Sequence, residues 1–172
     1  MKLNNMEILI FGNWKMNCGR ADSVNLAQSI ESFLSVVPSS IGVGVCPTFT
    51  ALYPVRKALG DESRLRLCAQ NCHFEDAGSF TGEVSANMLT ETCQYVLLGH
   101  SERRAVGTSE TANLNKKIAM VINNDMVPIL CVGEVEFRED VDRGVDVVAS
   151  QVVDALGVIE RKDQVIIAYE PV

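Results

Sequence analysis

A lysine, a histidine and a glutamate, widely separated along the chain, are the residues that could carry chemistry. Lys15, His100 and Glu170 each follow the end of a short apolar run by one to a few residues. An ammonium group binds anions, while an imidazole and a carboxylate transfer protons near neutral pH. Together they could perform acid-base chemistry on an anionic substrate if the fold brings them to one place.

Each of these residues also has an ordinary structural interpretation. Lys15 could be a solvated loop lysine, His100 a hydrogen-bonded structural histidine, and Glu170 a helix-capping or salt-bridged carboxylate. The run 101–104 could begin an exposed helix, and Cys131 could be a small buried side chain. The residue types alone leave both interpretations open.

The apolar runs predict the strands that must position these residues. Near-continuous Val, Ile and Leu is typical of strands that are covered on both faces. The predicted strands are 7–11, 41–46, 65–69, 95–98, 127–132 and 165–168.

Helical spacing of apolar residues separates several of these strands. The repeats are Val24, Ala27, Ile30 and Leu34; then Leu114, Ile118 and Val121; then Val141, Val145, Val148, Val152 and Leu156. Asp22 or Ser23, and Thr108 or Ser109, are expected to be N-caps.

Strands that alternate with helices predict an α/β fold with parallel pairing. No Pro-rich or Ser-rich linker divides residues 1–172, so one domain is expected. Periodicity does not separate an open doubly wound sheet from part of a barrel, but both place chemistry at the carboxyl ends of strands. The polar residues that fall there are Asn13, Lys15, His100, Cys131, Glu134 and Glu170.

Length and composition suit one globular domain. The chain has 172 residues, 47% hydrophobic and 22% charged, and a net charge of −7. That charge argues against a nucleic-acid partner, and no apolar run approaches the length of a membrane span. Because a secretion signal is also lacking, a cytoplasmic location is expected.

The cysteines favour buried free thiols over disulfides or a metal site. Six of them are scattered along a chain with ample hydrophobic content. Cys68 and Cys72 lack partners at zinc-site spacing, since His73 is simply adjacent to Cys72. No metal is therefore expected.

Six segments resemble the triosephosphate isomerase family, in the order and spacing of that family. They cover the chain from near its first residue to its last: Gly12-Asn13-Trp14-Lys15-Met16-Asn17, Ala69-Gln70-Asn71, Gly78-Ser79-Phe80-Thr81-Gly82-Glu83-Val84-Ser85, residues 99–104, Cys131-Val132-Gly133-Glu134 and Ala168-Tyr169-Glu170-Pro171-Val172. The resemblance implies an incomplete TIM (β/α)8 barrel with about six parallel strands and five helices present.

The resemblance also implies an activity and a set of roles. The family interconverts dihydroxyacetone phosphate and D-glyceraldehyde 3-phosphate through an enediolate, without a metal or organic cofactor. Glu170 corresponds to the catalytic base, and His100 to the neutral electrophile and acid. Lys15 is expected to hold the anionic substrate, with Asn13 beside it.

Further residues take supporting roles by the same resemblance. Ser101, Glu102 and Cys131 are expected to lie next to the catalytic residues. Phe80 and Thr81 belong to a loop that inserts into a neighbouring subunit, which implies a homodimer.

Two departures from the family pattern affect these expectations. Residues 105–110 read Ala-Val-Gly-Thr-Ser-Glu where an aromatic residue and then Gly-Glu are usual, so an ion pair to Arg103 and Arg104 is expected to be altered. The family also has a lid and two further strands after Glu170. Six strands would leave the first and sixth as open edges, with the inward side chains of the sheet meeting water.

Three functional classes remain open at this level. The favoured one is the isomerase, with the activity of these 172 residues alone in doubt. The alternatives are a catalytically silent fragment that acts as an interaction module or as half of a split enzyme, and an unrelated phosphate-binding α/β enzyme.

Overall fold

Six parallel strands form one sheet in the part of the chain that the structure describes. The computed structural model describes residues 8–134 and 141–170. The strands, paired in chain order, are β1 (Ile8–Asn13), β2 (Ile41–Cys46), β3 (Arg66–Ala69), β4 (Tyr95–Leu98), β5 (Val127–Val132) and β6 (Ile166–Tyr169). All six predicted strands are confirmed to within two residues, whereas Glu7, Pro171 and Val172 lie outside the described residues.

Helices connect successive strands, which is the connection that parallel pairing requires. The described helices are α1 (Arg20–Phe33), α2 (Phe49–Leu59), α3 (Ala86–Leu89), α4 (Ser101–Val106), α5 (Thr108–Ala112), α6 (Leu114–Asn123) and α7 (Val141–Leu156). Four of these have ten residues or more, and the other three are short pieces between β3 and α6. The expected five helices therefore correspond to the five connections between the described strands: four contain a long helix, and α3 alone joins β3 to β4.

The predicted N-caps differ from the observed helix starts. α1 begins at Arg20 after Gly19, and Ser23 is a buried residue of its first turn. α5 begins at Thr108 after Gly107, so the cap lies one residue earlier than predicted. Extended glycines take both positions, and neither cap supplies a side-chain hydrogen bond.

Two apolar clusters lie on the two faces of the sheet. The larger one lies between the strands and the helices, and it includes Leu67, Leu98 and Leu130. The smaller one lies on the other face and includes Tyr95, Ile129 and Cys131. The larger cluster also contains most of the predicted helical repeats, although Val145 is 61% exposed and is not part of it.

The period-two alternation of a strand decides which residues face the interior of the curled sheet. On β1, Leu9 and Phe11 pack against the inner cluster, and the same register turns Asn13 inward at the strand end. On β6, Ile166 and Ala168 pack inward, so Glu170 follows on the same face. The polar ends of both edge strands therefore point toward the same interior.

The expectation that inward side chains of the open edges meet water holds only in part. Leu9 and Ile166 are partly buried against the inner cluster. The outward side chains are more exposed: Ile10 is 56% exposed on β1 and Tyr169 is 56% exposed on β6. The outer, helix-facing side of the edge strands is thus the less covered one.

Glycines on the inner face of β2 make room for larger neighbours. A Cβ atom built on Gly44 would overlap the ring of Phe11, with Cδ1 only 2.5 Å away. That ring packs edge-on against Tyr95, with 5.0 Å between ring centroids. Gly44 therefore allows an aromatic pair to fill the sheet interior below the polar strand ends.

We expect Gly44→Ala to lower the free energy of unfolding by roughly 1–3 kcal/mol, because Phe11 must leave its position against Tyr95. Chemical denaturation measures the change. Gly12→Ala is the matched control, since its added Cβ would meet its nearest atom at 3.7 Å, and we expect a change within about 0.5 kcal/mol. Equal destabilisation in both variants would assign the effect to the strand backbone instead of Phe11.

Candidate active site

The predicted site residues converge at the carboxyl edge of the sheet. Asn13 ends β1, and Lys15 follows two residues later. His100 precedes α4 just beyond the end of β4, and Glu170 directly follows β6. His100 Nε2 lies 2.9 Å from Glu170 Oε1, so two residues that are 70 positions apart are in direct contact.

The hydrogen bonds of His100 assign its proton to Nε2. Its Nδ1 accepts a hydrogen bond from the backbone N–H of Glu102 at 3.2 Å. A nitrogen that accepts cannot carry a proton, so the neutral ring has its proton on Nε2, facing the carboxylate of Glu170. A neutral imidazole can donate to a carbonyl oxygen without first losing a proton.

Glu170 is held by main-chain groups on two neighbouring connections. Its Oε2 accepts a hydrogen bond from the N–H of Ser101 at 3.1 Å, and its own N–H donates to Val132 O at 2.8 Å. A Cβ on Gly133 would overlap the carbonyl oxygen of Glu170, with the carbonyl carbon at 3.0 Å. Gly133 therefore lets β6 end close to β5, which positions the carboxylate.

Lys15 adopts a left-handed backbone conformation that its neighbours stabilise. Its φ is 52°, which is uncommon for a residue with a side chain. The Lys15 N–H donates to Asn13 Oδ1 at 3.0 Å, and Gln70 Nε2 donates to Lys15 O at 2.8 Å. Backbone strain of this kind persists only where surrounding contacts fix it, and it is concentrated at functional sites.

The Lys15 ammonium group pairs with a carboxylate at the same edge. Its Nζ lies 2.7 Å from Glu102 Oε1. The hydrogen bond with Glu102 raises the pKa of Lys15 and lowers the pKa of Glu102. Lys15 therefore stays positively charged at neutral pH, beside the cleft that His100 and Glu170 line.

These side chains surround one cleft of about 470 Å³. Asn13, Lys15, His100 and Glu170 supply its polar groups, and its apolar wall comes from the inner face of the sheet, including Leu9, Phe11, Leu97, Ile129 and Ile166. The volume lies within the range typical of small-molecule sites. The cleft can therefore hold a small substrate between a base, a neutral donor and a cation.

Two residues have a supporting role at this edge that the sequence did not indicate. Gln70 donates to Lys15 O and also to Cys46 O at 2.7 Å, which joins the ends of β1 and β2. Arg104 donates to Gly99 O at 2.7 Å and to Cys131 O at 2.9 Å, which joins the ends of β4 and β5. The sequence showed only that each residue follows a strand. It could not show that the bonding partners are backbone carbonyls, because a carbonyl leaves no mark in the sequence.

Of the two arginines whose ion pair was expected to be altered, Arg103 pairs with a carboxylate. Arg103 Nε donates to Glu110 Oε2 at 3.2 Å, and Lys117 Nζ lies 2.8 Å from the same oxygen. Burial alone would raise the pKa of Glu110, but the two cations outweigh it and lower that pKa. The changed residues 105–109 thus leave the carboxylate within reach of Arg103.

Phe80 and Thr81 lie on a separate exposed loop after β3. Phe80 is 40% exposed, and its ring packs at 4.1 Å from that of His73. Gly78 and Gly82 flank it with positive φ values of 147° and 90°. The structure does not bring this loop into contact with His100 or Glu170 within the chain.

Neither a metal-binding cluster nor a membrane-spanning helix is found in the part of the chain that the structure describes. Across residues 8–134 and 141–170, no group of three or more His, Cys, Asp or Glu side chains is arranged to hold a metal ion. In the same ranges, the helices are too short or too polar to span a bilayer.

Cys131 should resist alkylation at pH 8 although it lines the cleft. Burial, and then the charge of Glu170, raises its pKa to about 12, so only about one thiol in ten thousand is ionised at pH 8. We expect iodoacetamide to label the partly exposed Cys18 first, as peptide mass spectrometry can measure. Glu170→Gln removes a negative charge, so it should lower the pKa and bring Cys131 labelling to lower pH. Labelling of Cys131 as fast as Cys18 at pH 8 would contradict this assignment.

Comparison with known proteins agrees with the fold. A sequence model of the triosephosphate isomerase family matches residues 8–172. The chain is 45% identical to a triosephosphate isomerase of Chlorobaculum tepidum and 40% identical to one of Alkaliphilus metalliredigens. These alignments include 94% and 95% of this chain, respectively, and 66% of the length of each relative.

A solved structure gives the same result. The crystal structure of triosephosphate isomerase from Bartonella henselae superposes with a TM-score of 0.86 and 34% identity, and it covers 96% of this chain and 68% of that one. The six-stranded curled sheet is therefore an incomplete TIM barrel. The chain belongs to the triosephosphate isomerase family.

Proposed function

We propose that this chain carries the catalytic groups of a triose-phosphate isomerase, which interconverts dihydroxyacetone phosphate and D-glyceraldehyde 3-phosphate in glycolysis and gluconeogenesis. The observation that carries the proposal is the 2.9 Å contact between His100 Nε2 and Glu170 Oε1, in a cleft that Lys15 also lines. A base, a neutral donor and a cation are the groups that the isomerisation needs.

The proposed reaction begins with removal of a proton from the carbon next to the substrate carbonyl. Glu170 takes this proton, the C–H electron pair becomes the new C=C bond, and the carbonyl oxygen gains negative charge. Such a weak carbon acid ionises only if the oxyanion is stabilised as the proton leaves. His100 gives its Nε2 proton to this oxygen and then takes the proton of the neighbouring hydroxyl. Glu170 returns its proton to the former carbonyl carbon as the other oxygen becomes the new carbonyl.

The resting geometry requires one rearrangement before this reaction. Glu170 accepts hydrogen bonds from His100 Nε2 and from the N–H of Ser101, so its carboxylate occupies the place of the substrate. A substrate that enters between His100 and Glu170 must replace these hydrogen bonds. We infer that Glu170 turns away from Ser101 to face the substrate carbon.

Lys15 is proposed to bind the anionic substrate despite the net charge of −7. Charges farther than about 8–10 Å are largely screened at physiological salt. A cation about 4 Å away contributes roughly 4 kcal/mol at an effective dielectric constant of 20. The local ammonium thus outweighs the average charge, and the substrate competes with Glu102 for it.

We further infer that full activity requires a segment that covers β1 and β6. Asn13 ends β1 and Glu170 directly follows β6, and the outward side chains of both edge strands are exposed. The chain spans 66% of the length of the Chlorobaculum tepidum relative. A complementary segment would pair with both edges and fix the two residues. Side chains hold every charge and proton in the proposed reaction, so it needs no cofactor. We also propose that the protein acts in the cytoplasm.

A coupled assay with D-glyceraldehyde 3-phosphate tests the function. The full chain is assayed alone and with the remaining third of the Chlorobaculum tepidum relative, with their association followed by sedimentation. We expect isomerisation in the mixture and little without the added segment. A mixture that associates but stays inactive would contradict the isomerase and favour an interaction module, whereas ordinary rates from the chain alone would contradict only the need for a segment.

Two substitutions in the same assay test the residue roles. Glu170→Gln should lower kcat by roughly 10²–10⁴-fold, and Lys15→Met should lower kcat/KM by roughly a thousandfold. Glu134→Gln, at the same sheet edge, and Lys57→Met, on the exposed end of α2, are the matched controls. Near-normal kinetics in a site variant would remove that residue from the mechanism.

We also propose a homodimer in which the loop of Phe80 and Thr81 contacts the partner near Lys15. Phe80 is an exposed aromatic held in place by His73, and Met16, next to Lys15, is 94% exposed. Such side chains are typical anchors of protein interfaces.

Sedimentation velocity at micromolar concentration tests the dimer, with the complementary segment present. We expect Thr81→Glu to shift the complex to monomers, because it places a charge in the apolar interface. Ser29→Glu, on the exposed face of α1, should leave the dimer unchanged. Monomers in the unsubstituted protein would overturn the assignment of this loop.

A further inference from the structure

A second pocket lies at the opposite end of the sheet from the candidate active site. It is about 310 Å³ in volume and lies at the amino ends of β2, β3 and β4. The candidate catalytic residues and the loop of Phe80 and Thr81 are not among its lining residues. The proposed function therefore gives this pocket no role.

The charges around the pocket are opposite in sign to the charge of the whole chain. Arg56, Arg64 and Arg66 line it, and Asp61 is the carboxylate among its described lining residues. The chain as a whole carries a net charge of −7. Three guanidinium groups at one concave site in an acidic protein indicate a local preference for anions.

The hydrogen bonds of the Arg64 guanidinium do not neutralise its charge, although the backbone N–H of Arg64 donates to the carboxylate of Glu31 at 3.2 Å. Its guanidinium donates to Leu34 O at 2.6 Å and to Val37 O at 3.2 Å. Both acceptors are uncharged backbone carbonyls, so these bonds orient the group while leaving its charge intact. A fixed guanidinium costs less entropy on binding than a free one.

Arg66 is also held in place at the base of the sheet interior. Its Nη1 donates to Tyr95 Oη at 3.0 Å, and its Cζ lies 5.9 Å from the centroid of the Tyr95 ring. A Cβ built on Gly42 would lie 2.8 Å from Nη1 of Arg66. The absence of a side chain at Gly42 therefore gives the guanidinium its space.

Arg56 and Asp61 form the outer rim of the pocket. Their side chains pair at 3.0 Å, and the Asp61 side chain is 94% exposed. An exposed ion pair contributes little to stability and is easily exchanged for another partner. An anion at the rim can thus compete with Asp61 for Arg56.

We propose that this pocket binds a phosphate group, either of free inorganic phosphate or of a small phosphorylated metabolite. Planar guanidinium groups form paired hydrogen bonds to phosphate oxygens, and the pocket is at the small end of the range for ligand sites. The site is separate from the catalytic cleft, so a bound anion there would not block the substrate.

Titration of the full chain with inorganic phosphate at constant ionic strength, followed by amide NMR, tests this proposal. We expect saturable shifts of amides around Leu65 and Gln94, with a dissociation constant of roughly millimolar or below. Glycerol 2-phosphate in a parallel titration distinguishes the two sources: tighter binding indicates an organic phosphate, and equal binding indicates free phosphate. Shifts confined to the surroundings of Lys15, or none, would overturn the proposal.

Substitutions at the rim change the binding in opposite directions. Arg56→Gln should weaken phosphate binding roughly tenfold, and Asp61→Asn should strengthen it roughly two- to fivefold by removing a competing carboxylate. Arg161→Gln is the matched control, because Arg161 also donates to a helix-end carbonyl, Ile122 O, but lies outside the pocket. Asp61 is exposed and Arg56 is partly exposed, so their variants should fold. Affinities that match the Arg161→Gln control in both rim variants would overturn the site.

Discussion

The hydrogen bond between His100 and Glu170 depends on the register of three parallel strands. His100 follows β4 and Glu170 follows β6, so β5 lies between them. The two side chains can meet only across the end of β5, where the inward residue is the small Cys131. Gly133 then lets β5 and β6 stay close where the carboxylate leaves the sheet. A one-residue slip of β6 would turn Glu170 to the outer face and remove the base from the cleft.

Opposing charges at the same edge keep the site ordered. Lys15 occupies a left-handed backbone conformation that contacts with Asn13 and Gln70 stabilise, and its ammonium group pairs with Glu102. Glu102 also donates its N–H to His100, so one residue influences both the position of the cation and the tautomer of the imidazole. The bound substrate would take over the ammonium while the backbone N–H continues to hold the ring. Because different groups of Glu102 hold the two residues, the Lys15 ammonium can bind substrate while the proton of His100 stays on Nε2.

The sequence predicted the strands and the shared edge, because continuous apolar runs and parallel pairing together place Lys15, His100 and Glu170 on one rim. It did not predict the contact of His100 with Glu170, since that depends on how strongly the sheet curls. The roles of Gln70 and Arg104 were also missed, because each bonds to backbone carbonyls of another strand, and a carbonyl carries no sequence signal. Similarly, α1 begins at a glycine cap, where residue preference favoured Asp22 or Ser23. Long-range partners, rather than local propensity, decide these features.

Coverage of the sheet edges and order in the active site are linked through the same two strands. Ile10 and Tyr169 face outward on β1 and β6, and burial of each such side chain contributes about 1.5–3 kcal/mol. Asn13 and Glu170 extend inward from the ends of these strands, where each strand has a neighbour on one side only. A segment that binds both edges would therefore stabilise the fold by mass action and restrict the motion of the catalytic carboxylate at once. Strands β4 and β5 are buried and are paired on both sides, so the described structure already fixes His100. The order of Glu170 depends on the segment that covers β6.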